Sequence, residues 1–114
     1  GYVKKFKKNY YFPPELEPDK EIDLLKADMW SLGVVLFILK FKFPPFEMAR
    51  STDINFSNFK THGLKKYLEL VFNESAVDED FLNLLQGLLE IDPEKRMNAL
   101  SLRQEVKKIM RAYL

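Results

Sequence analysis

Residues 29–39, Met29-Trp30-Ser31-Leu32-Gly33-Val34-Val35-Leu36-Phe37-Ile38-Leu39, form the longest nearly apolar stretch of the chain. A run of this kind belongs in a core, yet periodicity alone does not separate a buried helix from a buried strand. Its length favours helix, whereas Val34, Val35 and Ile38 favour strand. It falls well short of the roughly 20 residues needed to cross a bilayer. The run gives way to Phe41-Lys42-Phe43-Pro44-Pro45-Phe46, where two prolines continue neither kind of backbone ladder, so a loop follows.

Elsewhere the polar and apolar positions are more discriminating. Phe81, Leu82, Leu84, Leu85, Leu88 and Leu89 repeat the i, i+3, i+4, i+7 spacing of one helical face. Ser75 or Asp78 is suited to cap that helix, Glu79 and Asp80 place negative charge in its first turn, and Asp92-Pro93 ends it. After Asn98, the side chains of Leu102, Val106, Ile109, Met110 and Tyr113 again share a face. Ser51, Thr52 and Asp53 offer N-caps for a short helix carrying Ile54, Phe56 and Phe59 and ending before Gly63. Residues 1–11 carry Lys4, Lys5, Lys7 and Lys8 among aromatics without periodicity and read as extended loop. Phe12-Pro13-Pro14 then blocks a helix, with a short helical turn starting near Glu15. The pattern predicts an all-α domain of about four to six helices around a buried apolar element, without internal repeats.

Composition narrows the function. The 114 residues suffice for one packed domain, being 46% hydrophobic and 14% aromatic. With 18 Lys and Arg against 17 Asp and Glu, the net charge is +1, which gives no reason to expect binding to nucleic acid or a membrane surface. The absence of cysteine excludes disulfides, thiolate nucleophiles and cysteine-rich zinc sites, and fits an intracellular, cytoplasmic protein. His62 stands alone, with no neighbour in sequence to make a metal or catalytic site. The chain opens on Gly1 rather than Met and has no secretory apolar run, so a fragment or processed product is expected. The lysine cluster at 4–8 reads as a mobile solvated loop, the competing reading being a basic patch for an acidic partner.

Three motifs occur in order. Tyr11-Phe12-Pro13-Pro14-Glu15-Leu16 is similar to the Ala-Pro-Glu box that closes a kinase activation segment, with Pro13 where alanine is usual. Asp28-Met29-Trp30-Ser31-Leu32-Gly33-Val34, followed by Pro44-Pro45-Phe46, is similar to the family's central buried helix and the loop after it. Residues 81–96, ending in Asp92-Pro93-Glu94-Lys95-Arg96, are similar to its penultimate helix running into an Asp-Pro-x-x-Arg turn. Together these resemble the C-terminal half of the large lobe of a eukaryotic protein kinase of the Ser/Thr type, over about residues 10–102. The implied organisation is a partial kinase domain over 1–114: the end of the activation segment at 1–16, the central helix at 28–40 and C-terminal helices at 78–114.

The resemblance implies structural roles for Glu15, Arg96, Asp28, Trp30 and Gly33, and no catalytic or metal-binding residue. Glu15 and Arg96 would form an ion pair stapling the activation segment to the helical base, with Trp30 packing near Pro14-Glu15. Asp28 would accept backbone N–H bonds from a catalytic loop, or serve simply as an N-cap. Val35 and Leu39 match positions where the family's hydrophobic spine rests. Lys7 and Lys8 replace the usual Gly-Thr of the substrate-facing stretch. No Ser or Thr precedes Ser31, which excludes Ser/Thr phosphorylation of that stretch.

Phosphoryl transfer needs a glycine-rich loop, a phosphate-pairing lysine, a catalytic aspartate and an Asp and Asn for magnesium. No His-Arg-Asp or Asp-Phe-Gly motif occurs, and the four glycines stand singly at positions 1, 33, 63 and 87. No cofactor is expected in this chain; ATP and magnesium are implied only for a full-length kinase. The expected partners are the preceding part of the kinase domain and a protein substrate or regulator, with no nucleic acid and no membrane. The competing reading is a non-catalytic kinase remnant, a helical interaction module. Because the run from Trp30 to Leu39 is apolar around its circumference, an uncovered patch is expected beside Asp28, Val35 and Leu39.

Overall fold

The computed structural model describes residues 9–74 and 76–113. The loop reading of residues 1–8 and the alternative cap Ser75 lie outside the described residues. Among the described residues there are five helices and no strand: α1 (Leu24–Phe41), α2 (Ile54–His62), α3 (Leu64–Phe72), α4 (Glu79–Leu88) and α5 (Ala99–Ala112).

The apolar run is helical. Trp30, Val34 and Phe37, spaced by four and three, are each 0% exposed and share one face. The helix starts one turn before the expected Asp28. Asp23 accepts the N–H groups of Leu25 at 2.9 Å and Lys26 at 3.3 Å, satisfying donors that a helix start leaves open. Asp28 therefore lies inside α1, exposed, and caps nothing. The helix stops at Lys42, whose φ of 71° is left-handed and whose N–H returns to the Ile38 carbonyl at 2.8 Å.

The buried face of α1 meets an aromatic cluster. Phe46 packs edge-on against Phe56 at 5.1 Å, and Phe59 against Tyr67 at 5.8 Å. Helix α3 was not anticipated by the sequence reading, which stopped at Gly63. That glycine, at φ 82°, ends α2 and begins α3, so two helices lie back to back with one residue between them. Leu64, Tyr67 and Leu68 are buried from α3. The Tyr67 hydroxyl donates to the Pro45 carbonyl, pinning the proline loop. Burial pushes this hydroxyl's pKa well above its ordinary value, and the charge of Asp53 adds to the shift.

Helix α2 packs on α3, α1 on α4, and α4 on α5. Asp78 caps α4 by accepting from Phe81 N at 3.0 Å, and Asn98 caps α5 by accepting from Ser101 N at 2.8 Å. The shared apolar face of α5 is covered only in part: none of its residues is fully buried, and Met110 is 58% exposed. The side of α1 away from the aromatic cluster is also open, with Leu25 77%, Val35 39% and Leu39 64% exposed.

Candidate functional site

After the two prolines, the Leu16 N–H bonds the Pro13 carbonyl at 3.2 Å, closing a turn that presents Glu15 to the helical base. Arg96 receives it on a second turn, which Asp92 shapes by accepting Glu94 N at 2.9 Å while its carbonyl accepts Lys95 N at 3.0 Å. The guanidinium is buried and uses all five of its N–H donors. Nη1 donates to Glu15 Oε2 at 2.7 Å and to the Lys26 carbonyl at 2.9 Å. Nη2 donates to Glu15 Oε1 at 2.8 Å and to the Ile91 carbonyl at 3.3 Å. Nε donates to the Glu90 carbonyl at 2.9 Å. Such a fork matches a carboxylate in geometry as well as charge. One side chain thereby ties residues 13–16 to α1 and to the turn that follows α4.

Trp30 lies under this pair, its ring centroid 5.2 Å from the guanidinium carbon. Its indole N–H is buried without an acceptor among the described residues. Gly33, one turn further along α1, faces Leu88 and Leu89 so closely that a Cβ there would stand 2.9 Å from Leu88 Cβ. Asp28 is not brought to the cluster; it borders an open, mainly apolar groove of about 510 Å³ with Leu25, Met29 and Leu100.

Three contributors escaped the sequence reading. Ser31 Oγ donates to the Tyr11 carbonyl at 2.7 Å, with the Ala27 carbonyl 3.2 Å away. Arg50, on the loop between α1 and α2, donates to the carbonyls of Pro14 and Leu16. Lys26 Nζ reaches Glu94 at 2.8 Å, and this bond raises the lysine pKa. All reach acceptors at least 20 positions away, so no local spacing marks them. His62 is exposed, and no group of three His, Asp or Glu side chains converges on a metal position among the described residues. Nor is any helix there long and apolar enough to cross a membrane.

Residues 2–106 match the sequence model of the protein kinase domain. The chain belongs to this family. The matched span takes in every residue of the clamp, from Tyr11 to Arg96. Serine/threonine-protein kinase DCLK3 of Mus musculus is 33% identical over 89 residues, 78% of this chain and 11% of that protein. Calcium and calcium/calmodulin-dependent serine/threonine-protein kinase DMI-3 of Medicago truncatula is 34% identical over 92 residues, 81% of this chain and 17% of that protein. MAP kinase-activated protein kinase 2 of Mus musculus is 35% identical over 89 residues, 77% of this chain and 22% of that protein. The protein kinase domain segment seen here thus spans between about a tenth and a quarter of the length of the curated relatives it matches.

Proposed function

We propose that this chain is the C-terminal helical part of the large lobe of an intracellular, cytoplasmic Ser/Thr protein kinase, in which it anchors the end of the activation segment rather than performing chemistry. The observation that carries this reading is Arg96, buried with all five donors engaged and forked onto Glu15. A staple of that kind fixes a backbone segment in place and needs no proton transfer.

The glycines stand singly in the sequence, and no group of three His, Asp or Glu side chains converges among the described residues, so no step of phosphoryl transfer is assigned to them. In the complete protein the reaction is transfer of the ATP γ-phosphoryl to a protein hydroxyl, and the nucleotide is held by other residues. The open side of α1, beside Asp28, Val35 and Leu39, is where the preceding part of the domain would rest. The same open side favours a second reading, a non-catalytic kinase remnant that binds a partner through it.

The two readings separate on one assay. The 114-residue chain and the full gene product are each incubated with labelled ATP and a library of Ser/Thr peptides. The kinase reading expects transfer by the full product and none by the chain alone. A full product that transfers nothing, yet captures a partner through α1, establishes the second reading.

A further inference from the structure

Glu15 is held by its side chain through Arg96, and its backbone is bracketed by a different arginine. Arg50 Nη1 donates to the Pro14 carbonyl at 3.0 Å, and Nη2 donates to the Leu16 carbonyl. The guanidinium thus spans the residue whose carboxylate Arg96 grips. The two arginines sit on separate elements, Arg96 on the turn after α4 and Arg50 on the loop before α2. Arg96 grips only the carboxylate of Glu15, and Ser31 holds the chain upstream at the Tyr11 carbonyl, which leaves the backbone on either side of Glu15 to be fixed in orientation. Bonds to the carbonyls on both sides fix it, and they are charge-assisted.

Arg50 is itself held firmly. The Asp53 carboxylate accepts four backbone N–H groups: Glu47 at 3.0 Å and Met48 at 2.9 Å on one oxygen, Asn55 at 2.9 Å and Phe56 at 3.2 Å on the other. The Asp53 N–H returns to the Arg50 carbonyl at 2.9 Å, and Arg50 Nη1 also reaches the Ala49 carbonyl at 3.2 Å. One carboxylate therefore locks the loop carrying Arg50 to the first turn of α2, an anchorage independent of Arg96.

We propose that Arg50 is a positioning residue: it orients residues 9–16 through the Pro14 and Leu16 carbonyls, and so sets the affinity for the hydroxyl-bearing peptide that lies against them. This rests on the kinase reading above, in which those residues end the substrate-facing stretch. Arg50 itself does not touch the peptide.

The test uses the full-length protein with R50A, R50K and R96A. It measures KM for peptide and for ATP, the melting temperature, and amide exchange at Leu16, whose N–H closes the Pro13 turn. In R50A the peptide KM is expected to rise roughly tenfold, equivalent to about 1.4 kcal/mol, while the ATP KM stays within about twofold of wild type and Leu16 exchanges faster. R50K should recover little, because an ammonium cannot span both carbonyls as a fork does. An unchanged peptide KM with unchanged exchange overturns the proposal. So does a matching rise in both KM values with the melting temperature lowered as far as in R96A, since Arg50 would then be a general stabiliser. If the wild-type protein phosphorylates no peptide, the kinase reading fails and the substrate half of the proposal fails with it. Faster Leu16 exchange in R50A would still uphold the orienting half, which keeps the two failures apart.

Discussion

Arg96 and Glu15 lie 81 positions apart in sequence and meet through two parallel N–H···O bonds of 2.7 and 2.8 Å. Removing one partner strands the other charge, at a typical cost of about 3–5 kcal/mol for a buried pair. R96A should be the worse of the two single changes, because it also leaves the Lys26, Glu90 and Ile91 carbonyls without this donor. Replacing both partners, as in E15A with R96A, should cost clearly less than the two single losses added. Urea unfolding of the four proteins checks this as a double-mutant cycle. Additive losses would mean the fork contributes nothing beyond its separate parts.

Two glycines offer a matched pair of outcomes. A Cβ on Gly33 would stand 2.8 Å from Leu89 Cδ2 and 2.9 Å from Leu88 Cβ. The second of these atoms moves only with its backbone. G33A should therefore force α1 and α4 apart and lose about 1–3 kcal/mol. On Gly87 the tightest contact, 2.6 Å, is to Met97 Cε, the end of a flexible side chain, and Met97 Cβ, at 3.3 Å, needs to give by only a few tenths of an ångström. G87A should stay within about 1 kcal/mol of wild type, because better helix propensity offsets the shift of Met97. Denaturant midpoints for both variants decide it.

What the sequence disclosed depended on how local each signal was. Asp53 and Asp78 were readable as caps because a cap is defined within three residues of its helix. Helix α3 was hidden because Gly63 looks like a terminator, and only the backbone shows that its φ of 82° also opens the next helix. The start of α1 was missed for a related reason: Leu24 and Leu25 are apolar but exposed, separated from the central run by Lys26 and Asp28. Glu15 and Arg96 were singled out through the kinase motifs, since nothing local links residues so far apart. Arg50 carries no motif, and its acceptors are carbonyls, which every residue has.

The Tyr67 hydroxyl gives a pH dependence with a definite sign. Its pKa in the fold lies above the ordinary 10.0, because of burial and then the Asp53 charge. Above pH 10 the unfolded chain loses this proton while the folded chain keeps it, so the folded state binds more protons and stability falls as pH rises. The contribution is fully present below that pH and is lost progressively toward the raised value. Y67F removes the ionisation together with the bond to the Pro45 carbonyl. It should be less stable at neutral pH and show a shallower decline above pH 10. Urea unfolding between pH 7 and 11 measures both, and parallel curves for the two proteins would exclude Tyr67 as the titrating group.

The open side of α1 is the most exposed apolar feature of the central helix. Leu25, Val35 and Leu39 fall on one side of it and are 77%, 39% and 64% exposed, whereas burying a side chain of this size is worth about 1.5–3 kcal/mol. Exposed apolar surface of that kind binds hydrophobic dye or draws copies together. The isolated chain should therefore enhance anilinonaphthalene fluorescence or sediment above monomer mass. V35K with L39K should reduce both effects at little cost to stability, because neither side chain fills the core. A monodisperse wild-type monomer that binds no dye would show that this side of α1 is covered in solution. Equal dye binding by the double variant would place the exposed surface elsewhere, with α5 and its half-covered Met110 next in line.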